Sequence, residues 1–323
     1  MRPILSLMTL AFALSAAAPP AFAAPTPPTR LDHILLWGRT IDEATAIMAV
    51  KLGFQVRPGH DPSGVANRYI RFSDTSFVEL LGVTRPNPEF DPGAKEDRLA
   101  LKEQPGAHSF GFRSAGVDAI RTSLQALGYP VTPMFAGPDS AKPGWHLFAF
   151  DRQPLSNGTF FIDYKADYAP DQADPTNAGD HQVTREHPNS VRALSAIWLI
   201  SSDPESDRKQ LEHMGYGGAK PVRLAAAGAS GFCVPVGPTA LLTLRPDGPG
   251  LAADTLAKSG ARILGVSFAA ADLARAQRWV ERGYERKLEN YAGLWGSSFL
   301  APTLDDLGML IEFHGPGGKP PCG

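Results

Sequence analysis

Four stretches of the chain share an amphipathic helical pattern that closes on glycine followed by an aromatic residue. In the second stretch, Val117, Ile120 and Leu124 recur at the spacing that places side chains on one buried helix face. Glycine adopts the left-handed conformation that ends many helices, and the aromatic residue after it packs back on the helix. The pattern therefore predicts helices at residues 42–54, 117–129, 203–216 and 272–284.

Short apolar runs typical of β-strands flank each predicted helix. One run precedes each helix, at residues 31–37, 108–113, 194–200 and 263–268. Three shorter runs follow each helix, so the order strand, helix, strand, strand, strand repeats along the chain. The sequence thus predicts an α+β fold of four βαβββ units that pair into two domains.

A polar, proline-containing stretch separates the second unit from the third. Two histidines in this stretch, His181 and His187, are expected to lie in solvent. The end of the chain is rich in glycine and proline and is expected to be flexible. The predicted parts are an N-terminal domain at 30–166, a linker at 167–189, a C-terminal domain at 190–315 and a tail at 316–323.

The first 23 residues have the pattern of a cleavable export signal. Arg2 provides a positive start, an uncharged apolar run follows, and residues 21–23 match the A-x-A cleavage pattern. The apolar run is shorter than the ~20 residues of a membrane span, and no later segment has that length of apolar sequence. We therefore expect a secreted or periplasmic protein without a membrane span.

The composition argues against nucleic acid as a partner and against a metal site built from cysteines. The 323 residues include 31 Lys and Arg against 33 Asp and Glu, so no surplus of positive charge is present for nucleic acid. The two cysteines, Cys233 and Cys322, are too few for a cysteine-rich zinc site, and their pairing stays open. A metal site in this chain would use histidine and carboxylate ligands.

The repeat resembles the vicinal oxygen chelate superfamily, most specifically at residues 31–36, Leu-Asp-His-Ile-Leu-Leu. This superfamily includes glyoxalase, extradiol dioxygenases and metal-free proteins that sequester bleomycin. The resemblance implies that two units pair into a cup that holds one divalent metal, bound by the first and last strands of each unit. The residues at those places in the N-terminal pair are His33, Glu79, His108 and Asp163.

Each of these four residues is ionisable yet lies in or beside an apolar strand, where charge is costly unless it is paired or bound to metal. With all four ligands, Zn, Ni, Mn or Fe would polarise a substrate oxygen while a carboxylate, Glu79 or Asp163, carries a proton. Asp163 is shorter than the glutamate usual in the family. The alternative is therefore the set His33, His108 and Glu79, which is typical of non-haem Fe(II) oxygenases.

Four more residues are candidates for contact with a small-molecule substrate. His60 and Asn67 belong to a stretch between strands that resembles the pocket loop of glyoxalase-like proteins. Trp145 and Arg152 lie on or just after a strand of the second unit. The structural alternatives are a simple turn at His60 and a core position at Trp145.

The second half departs from the metal-binding pattern. Ala196 stands where the first histidine would be, and Glu312 alone keeps a ligand position, with His314 two residues later. One residue cannot hold a catalytic metal. We therefore expect a metal-free copy that serves as scaffold, as a binding module or as the surface of a homodimer.

Together these features predict an exported glyoxalase-like metalloenzyme of isomerase or lyase type, acting on a small molecule with two neighbouring oxygens. Two alternatives stay open. One is an Fe(II) extradiol-type dioxygenase, and the other is a metal-free protein that binds a small molecule without chemistry.

Overall fold

The structure is a computed structural model that describes residues 30–61, 63–137, 144–164, 185–318 and 322. The predicted export signal, His181 and most of the predicted linker lie outside these residues. Within them the chain forms a mixed α+β fold, as the sequence predicts, with sixteen strands and seven α-helices. None of the described helices is both long and apolar enough to cross a membrane.

The first unit follows the order strand, helix, strand, strand, strand. Its elements are β1 (Arg30–Trp37), α1 (Ile41–Ala46), β2 (Arg57–Pro58), β3 (Val65–Arg71) and β4 (Phe77–Val83). Helix α1 begins where the Thr40 side chain accepts a hydrogen bond from the Glu43 amide, and it continues as a π-helical turn, Ile47–Lys51. Strand β4 lies parallel to β1, and β3 lies antiparallel to β4.

Helix α2 (Pro92–Ala100) leads into a second unit with the same order of elements. These are β5 (Gly106–Arg113), α3 (Val117–Ala126), β6 (Phe135–Ala136), β7 (Trp145–Ala149) and β8 (Gly158–Tyr164). Strand β5 pairs antiparallel with β1 and parallel with β8, so the two units share one sheet.

The order recurs twice in the second half. The third set is β9 (Val191–Ile200), α4 (Pro204–His213), β10 (Lys220–Leu224), β11 (Ala229–Val236) and β12 (Thr239–Pro246). After α5 (Leu251–Ser259) come β13 (Arg262–Ala270), α6 (Leu273–Gly283), β14 (Tyr291–Gly293), β15 (Gly296–Ala301), α7 (Leu304–Leu307) and β16 (Leu310–His314). Strands β9 and β13 pair antiparallel, and the register pair Ile263 and Ala107 joins β13 to β5.

The glycines that close the predicted helices have two different structural roles. Gly53, Gly128 and Gly215 take positive φ angles of 76°, 88° and 99° after their helices, as the pattern predicts. Gly283 is instead the last residue of α6, and a Cβ atom there would meet the backbone oxygen of Lys51 at 2.3 Å. Glycine is needed at that position for close contact between helices of the two halves.

One face of the sheet packs against the helices and forms the main apolar core. On β4, Val78 and Leu80 are fully buried on this face, whereas Glu79 alternates to the opposite face. The core continues between the halves, since the ring of Phe54 lies 5.4 Å from the ring of Phe268. The opposite face of the N-terminal pair, which carries Glu79, is called the site face below.

His187 is buried in this structure, although the sequence analysis placed it in solvent. Its Nδ1 accepts a hydrogen bond from the Gln55 amide at 2.9 Å, and its Nε2 lies 2.9 Å from the Arg71 carbonyl. Burial lowers the pKa of His187 to about 4, which favours the neutral ring. The expectation of a solvated histidine is wrong because this residue joins the end of the linker to β3.

The corresponding face of the C-terminal pair is filled with apolar side chains. A separate cluster there includes Trp198, Leu242 and Trp295. Cys322 also belongs to this cluster and forms a disulfide with Cys233. The end of the chain, which was expected to be flexible, is therefore anchored at Cys322 against the second half.

Helix α2 covers one end of the site face and inserts a carboxyl group into it. Asp97 of this helix is fully buried. Its side chain accepts hydrogen bonds from the Trp37 indole at 3.2 Å and from the Ser109 hydroxyl. Burial raises the pKa of Asp97 to about 7.

We expect Asp97→Asn to change how stability depends on pH. The folded carboxyl keeps its proton up to about pH 7, whereas the unfolded one loses it near its usual pKa of 3.8. The free energy of unfolding of the wild type should therefore fall between about pH 4 and pH 7, by up to about 4 kcal/mol relative to Asp97→Asn. Urea unfolding of both proteins at pH 4.5 and pH 8 measures this difference. An equal response of the two proteins to pH would contradict it.

Loss of the disulfide should lower stability substantially. The bond joins residues 89 positions apart, and closing so long a loop in the unfolded chain corresponds to about 4.6 kcal/mol in the chain-entropy model. Urea unfolding of Cys322→Ser should show this loss, and the double variant with Cys233→Ser should be no less stable than the single one. Reductant should lower the unfolding midpoint of the wild type but not that of the double variant. A wild type unaffected by reductant would count against the bond.

Candidate functional site

His33 and Glu79 come together on the site face because β1 and β4 run side by side in parallel. The register places Leu35 opposite Glu79. The Nε2 atom of His33 lies 3.6 Å from Oε2 of Glu79. The imidazole also stacks on the ring of Phe77 at 4.0 Å between centroids, with the edge of Phe160 at 5.0 Å. His33 is thus held by apolar contacts with one ring nitrogen turned to a carboxylate.

The other ring nitrogen of His33 is bound by its neighbour in sequence. Nδ1 lies 2.7 Å from Oδ2 of Asp32, which is fully buried. The register of β1 against β5 shifts between Leu31 and His33, and such an irregularity changes the regular alternation of side chains. Asp32 and His33 therefore meet although they are adjacent in a strand.

Asp32 is held as a carboxylate by three donors. Besides His33, Nε of Arg113 donates to it at 2.6 Å and the hydroxyl of Tyr164 donates at 2.7 Å. Burial opposes its ionisation, but the bonds to His33, Arg113 and Tyr164 hold the pKa of Asp32 below its usual value. Burial and the Asp32 charge raise the pKa of Tyr164, which keeps its hydroxyl protonated as a donor. An ionised Asp32 favours the His33 tautomer with a proton on Nδ1 and a lone pair on Nε2.

Glu79 is fixed from its other side by Asn67. The Asn67 amide donates to Oε1 of Glu79 at 2.9 Å and lies 2.7 Å from the Tyr69 hydroxyl. The side-chain oxygen of Asn67, Oδ1, accepts a hydrogen bond from the His60 backbone amide. The side chain of His60 is exposed. Asn67 therefore connects the His60 turn to the carboxylate.

The structure does not bring His108 and Asp163 to His33 and Glu79. Gly111, not His108, lies opposite His33, and the edge of Phe160 fills the matching place from β8. Within the described parts of the chain, no three His, Cys, Asp or Glu side chains form a group that could hold a metal ion. The described residues therefore do not fit the predicted centre of four ligands.

Strand alternation places Asp163, and a register shift places His108. Asp163 shares the helix-facing side of β8 with Phe161, and its Oδ2 accepts a hydrogen bond from the Gly116 amide at 2.7 Å, where α3 begins. His108 lies between Ala107 and Phe110, where the pairing of β5 with β1 shifts register. Burial lowers the pKa of His108 to about 4, while a hydrogen bond to the Ala261 backbone opposes that shift. Both residues have structural partners other than His33 and Glu79.

The two remaining substrate candidates lie in different environments. Trp145 is half-buried on β7 and pairs in register with Tyr164, the donor to Asp32. Arg152 is exposed in the turn after β7. The structure thus places Trp145 beside the Asp32 network and leaves Arg152 outside it.

The C-terminal pair carries a different polar arrangement at the matching place. Glu312 is fully buried and accepts hydrogen bonds from Ser267 at 2.6 Å and Tyr291 at 2.5 Å. Burial raises the pKa of Glu312. His314 lies 2.8 Å from the Ser195 hydroxyl and stacks on Trp295. These two residues are satisfied inside a packed cluster.

Sequence reasoning missed four residues of the site: Asp32, Tyr69, Arg113 and Tyr164. A signal was present for Asp32, because a second ionisable residue next to a strand histidine is unusual in an apolar run. Arg113 and Tyr164 stand at strand ends, where polar residues are common, so their convergence becomes visible only through the pairing of β1, β5 and β8.

The sequence matches a family model, and the fold matches solved structures. The family model described as a glyoxalase-like domain matches residues 31–215, more than half of the chain. No curated protein sequence matches the chain.

Several solved structures share the fold. A variant of 4-hydroxymandelate synthase from Streptomyces coelicolor is 13% identical with a TM-score of 0.65, covering 91% of this chain and 94% of that chain. A catechol 2,3-dioxygenase is 15% identical with a TM-score of 0.58, covering 91% and 90%. A hypothetical protein from Staphylococcus aureus is 12% identical with a TM-score of 0.55, covering 88% and 98%. At these identities the likeness shows the fold alone.

Substitution of Asp163 should affect folding more than ligand binding. Its carboxylate accepts from an amide at the start of α3, an interaction worth about 1 kcal/mol at a helix N-terminus. Asp163→Ala should lower the free energy of unfolding in urea by that amount. Asp151→Ala, which removes an exposed carboxylate, serves as the control and should change it by less than about 0.5 kcal/mol. Unchanged stability together with loss of a bound metal would contradict this assignment.

Proposed function

Because the chain belongs to the family of glyoxalase-like domains, within the vicinal oxygen chelate superfamily, we propose that its site face is the active site of an enzyme that moves a proton next to a carbonyl group. The reaction class is that of an isomerase or lyase, and the substrate is a small molecule with two neighbouring oxygens. The observation that supports this proposal is the array of Asp32, His33 and Glu79 on one face of the sheet.

His33 is the proposed base. Its lone pair at Nε2 faces the site because Asp32 binds the opposite nitrogen. Asp32 also stabilises the imidazolium that forms when His33 takes a proton. Glu79 lies 3.6 Å from Nε2, which is too long for a hydrogen bond, so the two bases act on a substrate side by side. Positioned acid–base groups of this kind contribute roughly 10²- to 10⁴-fold to rate.

The metal-dependent alternatives have less support from the positions of the donors. His33 and Glu79 provide two ligands on the site face, whereas His108 and Asp163 are held elsewhere by Ala261 and Gly116. A set of two histidines and one carboxylate, as an Fe(II) dioxygenase uses, is not gathered among the described residues. Proton transfer by side chains of the chain itself is therefore the better supported chemistry.

Three features from the sequence stay predictions that accompany this proposal. They are export by a signal at 1–23, domains at 30–166 and 190–315, and a homodimer. Binding of a small molecule without chemistry is the second candidate function. It draws support from the ring contacts of His33 with Phe77 and Phe160, which suit a planar ligand.

Deuterium exchange tests the proposal without knowledge of the product. The protein is incubated in D₂O with pyruvate and with hydroxyacetone, and proton NMR follows the loss of the C–H signal next to the carbonyl. The wild type should accelerate exchange of at least one compound. His33→Asn should slow it about 100-fold, and Glu79→Gln should slow it by about 10-fold or more, because each removes a positioned base.

His213 is exposed on α4, and His213→Asn is the matched control. This variant should catalyse deuterium exchange of the substrate at the wild-type rate. A chelator should leave exchange unchanged. Exchange that is lost with chelator and restored by Zn, Ni, Mn or Fe would overturn the metal-independent chemistry. Binding of the compounds without any exchange would favour the second candidate function.

A further inference from the structure

The proposed bases are largely shielded from solvent in this structure. His33 is 4% exposed, and the side chain of Glu79 is 18% exposed. A base acts only when its substrate comes within about 3 Å of the atom that takes the proton. A substrate can therefore reach Nε2 of His33 only after some part of the chain moves.

Helix α2 packs directly beside these two bases. Leu35 lies opposite Glu79 in the register of β1 and β4, and it borders a small apolar cluster that we call the α2 cluster. The buried members of this cluster, from the sheet and from the α2 segment, are Trp37, Leu81, Ala94 and Leu101. The α2 cluster is separate from the main apolar core, so α2 can move while that core stays packed.

Much of the contact between α2 and the sheet converges on Trp37. Its indole nitrogen donates to Oδ2 of Asp97 at 3.2 Å, and its ring centre lies 5.4 Å from the guanidinium of Arg98. Phe90, which precedes the helix, packs edge-on against the same ring at 6.2 Å between centroids. The hydroxyl of Ser109 donates to the other oxygen of Asp97. Loss of the contacts at Trp37 and Ser109 would therefore free the helix.

The chain on both sides of α2 contains residues in the left-handed conformation. Asn87 before the helix, and Lys102 and Glu103 after it, have φ angles of 55°, 52° and 59°. Residues with a Cβ atom rarely adopt this region, and two consecutive ones are strained unless the surrounding contacts hold them there. These two turns are the points at which α2 would pivot.

The carboxyl group of Asp97 makes the position of α2 sensitive to pH. Burial raises its pKa to about 7. Trp37 faces it from β1 and Ser109 faces it from β5, both uncharged, and the adjoining β8 begins with uncharged residues. The charged groups that raise its pKa further are two carboxylates of its own segment, Glu96 and Asp91. Because its hydrogen bonds come from neutral groups, ionisation of Asp97 weakens the packed position of α2.

We propose that α2 is a lid over the site face, held closed by the hydrogen bonds of Asp97, and that it opens to admit the substrate to His33. This inference rests on the proposed function and concerns access to the same site. The lid pivots at the two left-handed turns, which separates the α2 cluster and leaves the main core packed. In the open position the Asp97 carboxyl returns to water, where it ionises near its usual pKa of 3.8.

Amide hydrogen exchange followed by mass spectrometry tests the motion without a substrate. The amides of α2 should exchange by local opening, at urea concentrations too low to unfold the core strands β1 and β5. Helix α5 is the internal comparison, because it precedes β13 as α2 precedes β5, and its Thr255 hydroxyl donates within the helix, to Leu251. The amides of α5 should be more strongly protected than those of α2. Exchange of α2 only together with β1 and β5 would overturn the proposal.

The opening of α2 should rise with pH in the wild type. Between pH 5 and pH 8 the opening constant should increase roughly 100-fold, because the Asp97 carboxyl ionises near pH 3.8 in the open position and near pH 7 in the closed one. Asp97→Asn should remove this increase, once amide exchange rates are corrected for the intrinsic effect of pH. An equal increase in Asp97→Asn would overturn the role of the carboxyl group.

Ser109→Ala removes one donor to Asp97 and should raise the opening constant of α2 roughly 5-fold at pH 5. Thr255→Ala, which removes a hydroxyl group from α5, is the matched control and should leave the exchange of α2 unchanged. Circular dichroism and thermal unfolding establish that each variant is folded. An equal effect of the two substitutions on α2 would overturn the proposal, because a general loss of stability would then explain it.

Chemical modification of His33 tests whether α2 controls access to the site. Diethyl pyrocarbonate acylates neutral imidazole rings, and peptide mass spectrometry gives the rate at His33 relative to the exposed His213. At pH 8 this ratio should be at least 10-fold lower in Asp97→Asn than in the wild type, because the variant stays closed. Equal ratios would show that α2 does not control access to His33 and would overturn the proposal.

The results separate this inference from the proposed function. If deuterium exchange of pyruvate or hydroxyacetone depends on His33 but α2 opens only with global unfolding, the lid proposal fails and the proposed function stands. If α2 opens locally and exposes His33 while no protein catalyses exchange of either compound, the lid stands and the proposed function fails.

Discussion

The buried carboxylate of Asp32 is the interaction on which the site depends. It accepts hydrogen bonds from the ring of His33, the guanidinium of Arg113 and the hydroxyl of Tyr164, which belong to three strands. A charge without exposure to solvent is tolerated only with such a set of donors. The pairing of β1 with β5, and of β5 with β8, brings these donors together. The sheet topology therefore fixes the hydrogen bond that orients the histidine ring.

The repeated order of elements was predictable because helix and strand periodicities differ and each recurs four times. The side of the sheet on which a residue lies was harder to predict. Asp163 lies on the predicted strand, but its side chain is on the side of the sheet that faces α3. Helix α2 was not predicted, although Asp91 before Pro92 is a helix-start signal. The site depends on register shifts and on pairing between strands that are far apart in sequence. Neither feature leaves a local pattern in a single sequence.

The site face of the N-terminal pair and the corresponding face of the C-terminal pair hold different kinds of side chain. In the N-terminal pair this face keeps ionisable groups in mutual contact. In the C-terminal pair it holds Trp198, Trp295 and the anchored end of the chain. Glu312 remains there, but its hydrogen bonds come from neutral hydroxyl groups and burial raises its pKa. The buried carboxyl group of the N-terminal pair is thus bonded by a guanidinium group, whereas that of the C-terminal pair is bonded by hydroxyl groups.

The close contact of Gly283 with Lys51 joins the two halves of the chain through their helices. The π-helical turn of the first unit rests directly on α6 of the fourth, and Trp279 of that helix donates to the Val50 carbonyl. Phe54 packs on Phe268 across the same boundary. Deleting the second half would uncover this aromatic layer to water. The second half thus acts as a structural support that covers apolar surface of the first half.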